Sequence, residues 1–265
     1  FGAVCYALAF RFVGRHADHE RNVHFYSTLA LVLVLAGLTL DLSAPWLGAA
    51  AALFAVPATW SWSRYGRPDM LLHGVVYLVV AGIATGALHY ATWALVASPE
   101  RWSLPGPMMV ALAVAAVLAA NFAAGRPQPE GGVSASVSRF VIALTLVWIA
   151  TGCLTGYLAP LLAGSADGAV DLGILATVRT GVLAVATLIV AAVSHRDRFR
   201  EWAWLVYPLL VFIGLKMVAQ DFKYSRPATL FIALALFGIA LILAPRLKRR
   251  ATRPASPAPA AETGG

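Results

Sequence analysis

An all-α, polytopic transmembrane bundle is the fold this sequence predicts, and three observations predict it. Eight long apolar stretches follow one another along the 265 residues. The chain is 60% hydrophobic and only 12% charged, with a mean hydropathy of +0.76, whereas soluble domains carry about 25% charged residues. Lysine and arginine gather in every second gap between the apolar stretches. A hydrocarbon core of ~30 Å needs ~20 apolar residues in helical form. Inside lipid the backbone must satisfy its own hydrogen bonds, and the short alternating segments of a barrel are missing, so the spans are read as helices paired in tandem hairpins.

The elements follow in order. Residues 1–13 read as the end of an apolar helix, and no charged leader or small-residue cleavage site marks a signal peptide. Phe1 in place of methionine adds the expectation that helices precede it in a longer chain. A polar linker, RHADHERN over residues 15–22, completes a first segment of 1–23. The transmembrane domain, 24–246, holds eight full spans at about 24–41, 45–63, 69–97, 106–124, 139–163, 171–194, 202–220 and 227–245. Pro45, Pro68, Pro107 and Pro227 stand where helices start, and Pro57 and Pro208 are expected to kink the spans that contain them. Trp60, Trp62, Trp102, Trp202 and Trp204 lie near span ends, as an interfacial aromatic belt requires. Residues 247–265, rich in Pro and Ala, read as a disordered tail.

Charge orients the bundle. Fifteen of the 20 Lys and Arg fall in the gaps at 11–23, 64–69, 125–139 and 195–201 and in the tail from Arg246, against Arg101, Lys223 and Arg226 in the alternate gaps. That bias places the first set, and the C-terminus, in the cytoplasm. Net charge +8 and pI 9.9 are therefore read as membrane orientation, with no nucleic-acid partner. Cys5 and Cys153 both lie in apolar stretches and read as reduced packing residues.

Two short echoes raise the idea of an inverted repeat: Ile83-Ala84-Thr85-Gly86 with Ile149-Ala150-Thr151-Gly152, and Tyr65-x-Arg67-Pro68 with Tyr224-x-Arg226-Pro227. Ordinary helix-start chemistry and Ala-rich composition explain them more simply. Gly82-x-x-x-Gly86 and Gly152-x-x-x-Gly156 are small-residue faces, expected to pack helices within the chain.

Arg179 is the sharpest candidate site residue. It lies about two turns inside its span, roughly 12 Å from the outer end, where a charge must pair, snorkel or face a wet cavity. Lys216, Asp221, Asp167 and Asp171 are assigned to the same outer face. Together they outline an outward-facing pocket for an anionic solute or lipid, with Arg179 at its centre. The competing reading makes Arg179 structural glue paired with an acid on a neighbouring helix, and so thin a set of charges favours it. Histidines give a third set. His16 and His24 share a helical face with Glu20, with His19 beside them, a spacing able to ligate a divalent metal. His73 and His89 are ~24 Å apart along one helix, so each would need a partner histidine elsewhere to grip haem or a pigment. Embedded Thr85, Asn121, Thr151, Thr155 and Thr187 are expected to bond back to their own helices. No nucleophile–base constellation or phosphate loop is written in the sequence, and no cofactor is required by it.

The final hairpin carries a family resemblance. Glu201-Trp-Ala-Trp-Leu-Val-Tyr-Pro-Leu-Leu leads through Gly214-Leu-Lys216 to Asp221, and a Pro-led helix ends Leu243-Ala-Pro-Arg-Leu-Lys-Arg-Arg250. Over these fifty or so residues the chain resembles the C-terminal hairpin of large, uncharacterised multi-pass bacterial membrane proteins, in which a Lys near the end of the penultimate span is followed five residues later by an Asp. Tyr207-Pro208-Leu209-Leu210 and Pro245-Arg246 depart from that pattern. The resemblance implies many tandem hairpins, a longer chain and no established activity. The functional expectation is a non-enzymatic scaffold subunit of a larger membrane assembly, whose partners are lipids and other membrane subunits or missing N-terminal helices. The alternatives are a transporter or anion-binding protein, and a haem- or pigment-binding redox subunit.

Overall fold

Proline sets where several helices begin. The computed structural model describes residues 20–124, 133–164, 170–224 and 226–251, and the helices are α1 (Glu20–Asp41), α2 (Ala44–Tyr65), α3 (Pro68–Ala84), α4 (Ala87–Val96), α5 (Pro107–Ala123), α6 (Val133–Leu162), α7 (Leu172–Val193), α8 (Val206–Lys216) and α9 (Pro227–Ala251). Pro occupies the first positions of α2, α3 and α5, where its missing N–H deprives no acceptor. No strand element occurs among the described residues, whose only bridge links Gly164 and Val170. The N-terminal partial helix, most of the His-bearing linker and the tail beyond Ala251 lie outside the described residues.

The eight full spans expected from the apolar pattern are not supported. Three rods are long and apolar enough to cross a membrane: Ala135–Leu162, Leu172–Val193 and Phe199–Tyr224. A fourth crossing exists if α3 and α4 count as one span bent by 66°. The expected continuous span 69–97 is thus broken at Thr85–Gly86, where Gly86 adopts φ 73°, a backbone conformation that favours glycine. α5 has 17 residues, about 26 Å at the helical rise, and the apolar parts of α1 and α9 are equally limited. α2 has the length, at 22 residues, but Pro57, Thr59, Ser61, Ser63 and Arg64 dilute its apolar character.

The third rod is composite. A 3₁₀ run, Asp197–Leu205, enters α8, and a π-turn, Met217–Asp221, leaves it before a last turn, Phe222–Tyr224. Pro208 sits in the first turn of α8, so it marks the change from 3₁₀ to α geometry where a mid-span kink was expected. Pro57 is inside α2, as read from the sequence.

Packing divides into two main cores. One joins α2, α3, α5 and α6 through Trp62, Leu71, Leu78, Leu112, Ile142 and Ile149. The other joins α6, α7 and the third rod through Ala143, Ala184, Leu205 and Leu209, with Ala240 of α9. Small residues let backbones close up without a hydrophobic drive between helices in lipid. A Cβ on Gly152 would overlap the Ala91 backbone, and one on Gly156 would strike the Tyr90 hydroxyl. That glycine face therefore packs α6 on α4, inside the chain. Gly82 faces Leu88 across the break, so the other glycine pair forms a hinge and not a packing stripe. The two Ile-Ala-Thr-Gly echoes accordingly adopt different structures, one at a break and one in continuous helix. Large apolar side chains around the perimeter, among them Leu53, Leu161, Ile189, Val211, Leu215 and Phe231, are exposed, as lipid-facing positions require.

Candidate functional site

The inward face of α7 carries Ala176, Arg179, Thr180, Leu183 and Thr187 at helical spacing, all buried. Arg179 is 2% exposed. It reaches the end of α4, whose last carbonyls have no partner within their own helix. Its Nε donates to Ala94 O at 2.7 Å, one terminal nitrogen donates to Ala97 O, and the other donates to Gln220 Oε1 at 3.4 Å. Gln220 Nε2 in turn donates to Val96 O. The guanidinium also lies over the Trp102 ring, 5.7 Å from its centroid. A cation thus caps the electronegative C-terminal end of a helix, the arrangement the helix dipole favours.

Beside it a second charged group closes on itself. Lys216 Nζ donates to Asp221 Oδ1 at 2.5 Å, to Thr180 Oγ1 at 2.7 Å and to Ala176 O. Thr180 Oγ1 donates onward to Asp221 Oδ2 at 2.7 Å. All three ammonium protons and both carboxylate oxygens are engaged. The Lys216 and Asp221 side chains are 2% and 0% exposed. The π-turn makes this pairing possible, because residues five apart in an α-helix point ~140° away from each other.

The structure therefore brings together Arg179, Lys216 and Asp221, adds Thr180, Gln220 and Trp102, and leaves Asp171 out. Asp171 caps the start of α7, accepting from Gly173 N at 2.9 Å and Ile174 N at 3.1 Å. It faces Arg226 at 3.5 Å across a largely solvent-exposed pair, an interaction worth little by itself. Asp167 lies outside the described residues. An anion approaching Arg179 would have to displace backbone carbonyls, so the chemistry on offer is a clasp joining α4, α7 and the third rod.

Among the described residues the histidines do not converge. His73 is buried, with a partner in the bundle, and His89 is exposed. His24 lies in the first turns of α1, where the backbone alone is described, and His16 and His19 lie outside the described residues. Among the described residues no three His, Cys, Asp or Glu side chains gather as a metal site would require.

Two features escaped the sequence reading. At the opposite end of the bundle Arg139 pairs with Glu201 at 3.2 Å, Ser136 donates to the same carboxylate oxygen at 3.0 Å, and the guanidinium lies 5.7 Å from the Trp62 ring centroid. Arg139 had counted only as an orienting charge in a gap. The other is an apolar cavity of about 300 Å³ between α2, α5 and the α3–α4 break, lined by Gly48, Ala52, Leu53, Thr85, Leu112 and Ala115 among others, none of them titratable. Composition shows neither, because both arise where elements distant in sequence meet. Compared with protein-family models, curated proteins and solved structures, the chain matches none.

Proposed function

We propose that this chain is a membrane scaffold, a non-enzymatic structural subunit of a larger assembly in a bacterial inner membrane. One observation carries the reading: the embedded charges of α7 and the third rod are used up in joining helices, while the perimeter is apolar. A transport or catalytic site keeps some polar capacity free for a ligand, and such sites in membranes line wet cavities. Here Arg179 and Lys216 bond to backbone carbonyls, to Gln220, Thr180 and Asp221.

Charge supports a cytoplasmic C-terminus. The end of α2 at Trp62, the end of α5 at Ala123, and the Arg139–Glu201 pair meet at one end of the bundle. The gaps next to these residues are arginine-rich, which favours that end for the cytoplasm. Lipids and other membrane subunits are the partners proposed.

Native mass spectrometry of the protein released from its own membrane in mild detergent tests this. The expected result is a set of subunits co-purifying in fixed stoichiometry. A lone protomer that drives saturable anion uptake in proteoliposomes, lost in a folded Arg179→Leu variant, would overturn the scaffold reading in favour of a transporter.

A further inference from the structure

The π-turn joins two contacts that the bundle otherwise keeps apart. Gln220 and Asp221 are adjacent residues: the first holds the end of α4 through Val96 and Arg179, the second holds Lys216 and Thr180. The turn contains one residue more than an α-helix would need, with Phe222 N–H donating five residues back to Met217 O. Val218 and Phe222, on its outer side, are 71% and 58% exposed.

We propose that Met217–Asp221 is a latch with two backbone registers, and that the Lys216–Asp221 pair selects the π register in which Gln220 and Arg179 hold α4. In the α register Asp221 would rotate ~140° from Lys216, and Gln220 would leave Val96 with it. α4 is built to respond. It is ten residues long, hinged at its start by Gly86 with φ 73°, and tied at its end by Arg179 and Gln220. Ala91 rests on Gly152 midway, so release frees the last turn of α4 and the following loop while the limb stays docked. The latch is a conformational device that a scaffold or a transporter could each contain.

Hydrogen exchange of the full chain in lipid nanodiscs tests it, read at amides 94–104, which lie more than 100 residues from the π-turn in sequence. Two variants are compared with the parent chain. Lys216→Met with Asp221→Leu removes the pair without stranding a charge. Gln220→Ala removes the tie alone. Each is expected to speed exchange at 94–104 roughly tenfold, the loss of one or two hydrogen bonds, with α2 and α5 unchanged. Coupling is reciprocal, so Gln220→Ala must also loosen the amides of 217–222. Exchange at 94–104 that stays at the parent rate in the double variant would overturn the latch, since pair and tie would then be independent. A uniform rise across α2 and α5 would overturn it too, by making the pair general glue. Should the double variant fail to fold, the reciprocal effect of Gln220→Ala decides.

Discussion

Arg179 shows how an embedded charge becomes tolerable without a carboxylate partner on its own side chain. Its planar fork meets two carbonyls at a helix end that lack partners of their own. Arg179→Leu strands those buried acceptors together with Gln220, and each unsatisfied group costs about 1–3 kcal/mol. Thermal melts in detergent, followed by circular dichroism, should show the leucine variant strongly destabilised. Arg179→Lys should lie between it and the parent, because an ammonium on a shorter stem cannot serve both carbonyls. If leucine melted like the parent, the clasp would contribute nothing to stability. The sequence made part of this site legible. Arg179, Lys216 and Asp221 stand out because charge is rare in apolar stretches, and helical spacing put them toward one end. Thr180 and Gln220 did not stand out, since embedded polar residues more often bond to their own helix. The carbonyls of Ala94 and Ala97 could not, because a backbone acceptor has no side chain to mark it. Asp171 was grouped with the site by nearness to the same face, yet it caps its own helix.

Among the elements, the break between α3 and α4 is the feature hydropathy hides. Residues 69–97 are predominantly apolar, with no proline after Pro68, so nothing in composition distinguishes a bent pair from one long span. Only Gly86 marks the place, and glycine is common in membrane helices that run straight. Helix starts were easier to read, since Pro68, Pro107 and Pro227 fix φ and lack the N–H that a first turn does not use. What holds α4 at its 66° bend is the glycine face of α6. Gly152→Leu should force α4 off α6, because Ala91 leaves no room even for a Cβ. The expected loss is about 3 kcal/mol or more, in the upper range for overpacking where backbone must move, read as a lower melting temperature. Gly37 has open space around the position of a Cβ, so Gly37→Leu is the matched control and should melt as the parent does. Equal melting of the two variants would remove close packing as the reason for the glycine at 152.

At the scale of the whole molecule, charge and packing divide the bundle into two different ends. One end gathers Trp62, Ala123, Arg139 and Glu201, and the other gathers the α4 terminus, Trp102, Arg179 and the π-turn. The helices between them are not equally able to cross a membrane, and whether α1, α2, α5 and α9 do so is what separates a four-crossing bundle from the eight spans written in the hydropathy. Gly48 meets Thr85 near the start of α2, whereas Trp62 near its end bonds Ala123 at the end of α5. α2 and α5 thus run in parallel, each from the Arg179 end toward the Arg139 end. If both cross, Ser43 and Arg101 share the outer surface, and Tyr65 and Arg196 share the cytoplasmic one. Single cysteines at these four exposed positions, in a chain freed of Cys5 and Cys153, can be tested with a membrane-impermeant maleimide on intact cells. Ser43→Cys and Arg101→Cys should react at once, and Tyr65→Cys and Arg196→Cys only after the membrane is opened. Reaction of Ser43 and Tyr65 from the same side would show that α2 lies along the surface, and the positive gap at 64–69 would then orient nothing. Reaction of all four in the reverse sense would place the clasp on the cytoplasmic side and remove the charge bias as the determinant of orientation.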